Sequence, residues 1–253
     1  MMKNIHSLKN SFFTAGSYAI THIPNCCMVK ILSLFTIVKV SGKQIEENLS
    51  ANREVLTAAA REKSGFFTPG HFIENQNEWE SVRFGLSTMK YSGCEIMAVH
   101  NTLLDLGNRM TAQDMAELIS AFERKGAELK GRWGCSPRSI SKYLIRQGYR
   151  VTMTARTDPD TINSIGENSD SIIITAYNDR NDIRRMIHTI SVTKDHSGHY
   201  TLHNAYKRMN DRYAAYSGNS PVSRLWEVIG LISQGQASPI YTIGISRKEL
   251  LHM

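Results

Sequence analysis

The chain changes character near residue 150, and that change limits the folds open to it. Upstream, apolar residues recur at helical spacing. "GKQIEENLSANREVLTAAAREK" (42–63) is made of good helix formers. After Gly93, residues Ile96, Met97, Val99, Leu103, Leu104 and Leu106 fit one helix that Gly107 ends. Thr111 is placed to cap a second helix, with Asp114 at N3, a stripe of Met115, Leu118, Ile119 and Phe122, and a stop at Gly126. Ser136 and Pro137 open a third, whose Ile140, Tyr143 and Leu144 face inward before Gly148. "NEWESVRFG" (77–85) reads as a short helix leading into the Cys94 segment.

Downstream, the segments 151–155, 171–177, 186–193, 199–206 and 240–246 are β-branched and aromatic, and read as strands. "SRLWEVIGLISQ" (223–234) is a helix between the last two. Helices followed by a largely antiparallel sheet make an α+β fold.

The chain has 253 residues, 41% of them hydrophobic and 21% charged, enough for a sizeable core without disulfide staples. Residues 1–40 lack periodicity and read as an N-terminal extension to a domain over 41–253. A net charge of +7 is spread among acidic residues and joins no nucleic-acid module, so no nucleic-acid partner is expected. Within residues 28–39 the apolar-rich, charge-free stretch Ile31–Val38, with Ser33 and Thr36 inside it, is too short to span a bilayer. A cytoplasmic protein is expected, with export or membrane contact through residues 28–39 as the alternative. The four cysteines, Cys26, Cys27, Cys94 and Cys135, form no CxxC pair, which argues against a zinc ribbon. His196, His199 and His203 have helical spacing but lie in a turn and strand, so no metal or other cofactor is expected.

A free cysteine more often packs than reacts. Cys94 has a distinguishing position, because Gly93 precedes it and a helix begins at or just after it. Unpaired amides and the positive end of the helix dipole favour an anion there. They stabilise a thiolate and a developing oxyanion alike. A nucleophile of this kind needs a base. His188 lies in an apolar strand, and "DHSG" (195–198) signals a turn after it. A three-residue loop pairing Lys194 with Gly198, or a five-residue loop over 194–198, sets His188 opposite Asn204. Opposed residues share a face of the sheet, so one hairpin can carry a His–Asn pair. Asp195 is a weaker candidate to orient His188, being at the far end of the same strand. His100 is about 600° around the helix from Cys94, off its face. Cys135, before the Ser136 cap, ranks second as a nucleophile. Trp133 and Tyr177 are candidates to line a cleft, and Arg184 and Arg185 read as a solvated turn.

Taken in order, "SGCEIMAVHNTLLDLG", "MTAQDMAELISAFE", "GCSPRSISKYLIRQGY" and "MIHTISVTKDHSGHYTLHN" resemble a papain-like cysteine peptidase. The similarity is to the bacterial peptidases that remove double-glycine leaders from bacteriocins, and it covers roughly residues 77–246. It implies a papain-like fold and a Cys94–His188–Asn204 triad acting on a peptide or protein substrate. Acyl transfer on the same scaffold, or a non-catalytic binding module, are the alternatives. Two positions depart from the family pattern. "STMKYSG", before the cysteine, has no glutamine to supply an oxyanion-hole amide, leaving Lys90, Tyr91, Ser92 or main-chain donors including the Cys94 N–H. Glu95 follows the cysteine where a small residue is usual.

Overall fold

The computed structural model describes residues 23–62, 66–178, 187–209, 212–231 and 238–247. Residues 1–22, the Arg184–Arg185 turn, the first residue of the 186–193 strand and residues 232–234 lie outside these. The first half is helical: α1 (Asn25–Leu34), α2 (Gly42–Glu62), α3 (Met89–Ser92), α4 (Cys94–Asp105), α5 (Ala112–Arg124) and α6 (Pro137–Arg146). Strands β3 (Arg150–Thr154), β4 (Ser171–Tyr177), β5 (Ile187–Lys194), β6 (Tyr200–Met209), β7 (Arg212–Val222) and β8 (Ser238–Ser246) follow. Two helices, α7 (Pro159–Glu167) and α8 (Leu225–Leu231), lie among them. The six strands form one sheet in the order β3-β8-β4-β5-β6-β7, with every neighbouring pair antiparallel. The expected α+β class is thus observed.

The sheet is covered on both faces. Ile173, Tyr177, Ile243 and Ile245 pack with the helical half, including Ile96, Met97, Ile119 and Ile140. Ile172, Ile174, Ile190 and Val192 pack with Ile162 of α7 and Leu225, Val228 and Ile229 of α8. This is why "SIIITAY" has no polar alternation: all seven of its residues are buried.

Local signals explain most element ends. Thr111 and Asp114 form a reciprocal capping box, with Asp114 N–H donating to Thr111 Oγ1 (3.2 Å) and Thr111 N–H to Asp114 Oδ2 (2.9 Å). Asp158 caps α7 by accepting from the Thr161 N–H at 2.9 Å, and Pro159 takes the first helical position. Ser136 occupies the N-cap of α6, but its hydroxyl makes no cap bond and pairs instead with Ser33 Oγ of α1 at 3.0 Å. The stretch 77–85 is not the expected helix. Residues Gln76–Glu78 make one 3₁₀ turn, and β1 (Arg83–Phe84) then folds back on β2 (Ser87–Thr88). Gly85, at φ +55, turns the chain where a helix would have continued.

Two N-terminal elements frame the site. α2 packs on α5, where Asn48 Nδ2 donates to Glu123 Oε1 at 2.6 Å. α1 buries Met28, Val29 and Leu32 in the main core. Asn25 Nδ2 ties it to the Pro239 carbonyl of β8 (2.8 Å). Leu34, Ile37 and Val38, from the same apolar stretch, stay exposed. Among the described residues no single helix is long and apolar enough to cross a membrane.

Candidate active site

α3 and α4 meet at a corner whose residue is Gly93. Its N–H bonds the Met89 carbonyl at 3.0 Å, and a Cβ built there would stand 2.5 Å from that oxygen. Only glycine allows the two helices to approach so closely. The corner makes Cys94 the first residue of the twelve-residue α4. Met97 N–H is the first amide to bond back to Gly93 O, at 3.0 Å, so the amides of residues 94–96 precede the helical ladder.

The Cys94 side chain is buried against β5. Burial, and then the charge of Glu95, push its thiol well above the ordinary value, while the Thr189 and Glu95 amides pull the other way. Thr189 follows His188 on that strand, so their side chains leave opposite faces of the sheet. His188 Nε2 lies 2.6 Å from the main-chain oxygen of Asn204. A carbonyl oxygen only accepts, so Nε2 carries the hydrogen and the basic lone pair of the neutral ring is on Nδ1. Burial lowers His188 to about 4, which keeps the ring neutral at neutral pH. Thiol and imidazole are therefore both uncharged at rest. The structure does not set them side by side: His188 is paired with Ala176 on the sheet face that packs on α7 and α8, whereas Cys94 meets the Thr189 amide on the α4 face.

Asn204 acts through its backbone. It has φ +58, and the β6–β7 register shifts between Leu202 and Ala205, so one extra residue bulges from β6. Asn204 N–H donates to Glu74 Oε2 (3.2 Å), and its Oδ1 accepts from the Gln76 N–H (3.1 Å). Its Nδ2 donates to Gln76 Oε1 (3.3 Å), and Gln76 Nε2 in turn donates to the Lys90 carbonyl (2.9 Å). The side-chain amide thus braces the loop before α3, and the bulge turns its carbonyl toward His188. The expected hairpin register shifts as well. Lys194 pairs with Tyr200, and Asp195 Oδ1 accepts from the Ser197 and His199 amides at 2.8 and 2.9 Å, closing a loop over 195–199. Continued unbroken, that register sets Ile190 rather than His188 opposite Asn204, so the contact is made by the His188 ring reaching the Asn204 carbonyl and not by a register pair.

Asn204→Gly is expected to keep the positive φ, the carbonyl and the backbone bond to Glu74 while losing both Gln76 bonds, and so to slow Cys94 acylation by only about threefold. Asn204→Val, strained at positive φ, is expected to slow acylation at least about tenfold. Equal rates in both would show that the bulge does not orient His188.

The other residues singled out in the sequence fall elsewhere. His203 Nδ1 meets Glu74 Oε1 at 2.6 Å and its Nε2 meets Thr193 Oγ1 at 3.0 Å, which fastens the residue beside the bulge. His100 packs on Phe67 within the core, and burial lowers it to about 4. Tyr177 is a core residue. No group of His, Cys, Asp or Glu among the described residues is arranged to hold a metal ion.

Cys135 and Trp133 share a cavity of about 140 Å³ with Cys94. Glu95 and Glu128 also line it. Burial raises Glu95 to about 7 and Glu128 to about 9, the latter helped by the charge of Glu95. Glu74, Gln76 and Glu128 carry no motif of their own. Only the loop conformations bring them to the site. No protein-family model matches this chain and no curated protein matches it, so the chemistry of the site rests on its own atoms.

Proposed function

We propose that the protein is a papain-like thiol hydrolase acting on peptide or amide bonds, with Cys94 as nucleophile and His188 as base. The reading rests on a helix-tip cysteine packed against the strand that bears His188, whose Nε2–H is fixed on the Asn204 carbonyl, and it requires the imidazole to turn from the Ala176 face toward Cys94. In this scheme Cys94 Sγ attacks the substrate carbonyl carbon as His188 Nδ1 takes the thiol proton. The developing oxyanion meets the first-turn amides of α4, the Cys94 N–H among them. The imidazolium then protonates the leaving amine. Water, deprotonated by the same Nδ1, cleaves the thioester and frees Cys94. Because both partners begin neutral, proton transfer accompanies attack instead of preceding it.

Rapid mixing with p-nitrophenyl acetate tests the proposal. One nitrophenolate should be released per chain in a burst, and peptide mass mapping should find the acetyl group on Cys94. Acetyl groups confined to the exposed Cys26 and Cys27 would refute it.

A further inference from the structure

The cavity beside Cys94 contains two acceptors that the fold leaves without partners. One oxygen of Glu95, Oε2, and Glu128 Oε1 are buried without a hydrogen-bond partner, while the rest of the Glu95 carboxyl lies beside its own amide, the Cys94 thiol and the Cys135 amide. Their residues are only 5% and 2% exposed. Burying polar atoms in this way costs free energy unless something binds them. The backbone is shaped to place both. Gly134, at φ +87, leaves room for the Glu95 carboxyl, and a Cβ there would stand 2.9 and 3.0 Å from its two oxygens. Glu128 opens a 3₁₀ turn in which Leu129 and Lys130 hold φ values of 45 and 60, strained for side-chain-bearing residues. Arg132 also lines the cavity but forms no ion pair with either carboxyl among the described residues.

The walls have the opposite character. Met28, Ile31 and Leu32 of α1, with Phe35 after it, face Trp133 across the cavity, and Phe35 and Trp133 meet edge to face at 5.3 Å. An apolar sleeve ending in two carboxyls complements a cation on an aliphatic or aromatic stem. Resting on the thiol-hydrolase reading, we propose that this cavity is a specificity pocket for a basic side chain, a lysine or arginine of the substrate, bound by Glu95 and Glu128. The substrate stem lies along α1 and Trp133, and its cationic head supplies the donors that the two orphaned oxygens lack. This placement sets the adjoining substrate carbonyl beside Cys94 Sγ. Titratable and charged groups facing the two carboxyls are Cys94, Cys135, Tyr91 and Arg132. Since burial holds the empty carboxyls largely protonated, an entering cation displaces protons and binds more tightly as pH rises from about 6 to about 9.

Fluorescence titration of the full chain with p-aminobenzamidine tests the pocket without any turnover. Saturable binding is expected, with the neutral isostere p-aminobenzamide at least about tenfold weaker. Glu128→Gln should weaken the amidine at least about tenfold, whereas Glu117→Gln, on the exposed side of α5, should leave it bound. The amidine should also slow acetylation of Cys94 in the parent protein, and the amide should not, a readout that needs no variant. Equal affinity for amidine and amide, no saturable binding, or no response to Glu128→Gln would overturn the pocket. A chain that binds the amidine while its Cys94 is never acetylated would keep the pocket and lose the hydrolase reading.

Discussion

Cys94→Ala is expected to reduce the turnover of p-nitrophenyl acetate by at least ~10³-fold, and His188→Ala by a comparable factor, since a nucleophile and its base act as a unit. The double variant should be little worse than either single one. The thiol is buried and held above its ordinary value, so it gains little from bulk solvent as a proton acceptor. In the proposed scheme the acceptor is the neutral imidazole, through its lone pair on Nδ1. Parallel measurements of kcat and of the burst amplitude distinguish the roles. Cys94→Ala should lose the burst itself, and His188→Ala should keep a slow acylation that hastens as pH rises. Turnover unchanged in Cys94→Ala would remove the nucleophile from the scheme. Multiplicative losses in the double variant would separate the two residues.

The second large effect is in stability. His188 and His100 fall from an ordinary 6.5 to about 4, so between those values the unfolded chain binds protons that the folded one refuses, and stability rises with pH. Glu95 and Glu128 rise from 4.5 to about 7 and about 9, so over those ranges the folded chain holds the extra protons and stability falls with pH. The two slopes oppose each other from about 4.5 to 6.5, and only the carboxyls remain above. Thermal unfolding should therefore show a plateau on the acid side of neutrality. A loss on the order of 3 kcal/mol should follow between about pH 6.5 and about pH 8.5, most of it from Glu128. Glu128→Gln should flatten that decline and raise the melting temperature at the alkaline end. A melting temperature that is constant or rising over this range, or an identical decline in Glu128→Gln, would show that Glu128 titrates as a solvated carboxyl. The comparison also bears on the pocket: a variant that is more stable at alkaline pH has not lost amidine binding through unfolding.

Much of the architecture was legible because its signals are local. The Thr111–Asp114 box, the Pro137 start and the glycine stops each act within a few residues, and the structure uses them. The same holds for Cys94, whose helix-tip position follows from Gly93 and the apolar run behind it. Where local signals competed, the reading failed. "NEWESVRFG" has helical spacing, but Gly85 and the pairing of Arg83–Phe84 with Ser87–Thr88 turn it into a hairpin. α7 announces itself through Asp158 and Pro159, and carried no expectation above because its apolar stripe is short.

The sequence by itself determined the α+β class, most of the helices and strands, and the position of Cys94 at a helix tip. Such properties depend on propensity, periodicity and caps, which neighbouring residues set. Only the tertiary structure decided which atom of Asn204 meets His188. Glu74 and Gln76, about 130 positions away along the chain, hold the bulge that aims the carbonyl, and no local pattern encodes that contact. It likewise decided that α1 forms a wall beside Cys94, and that two carboxyls share its cavity. Both depend on loops with positive φ at Leu129, Lys130 and Gly134, conformations that packing and close approach impose after the elements have assembled.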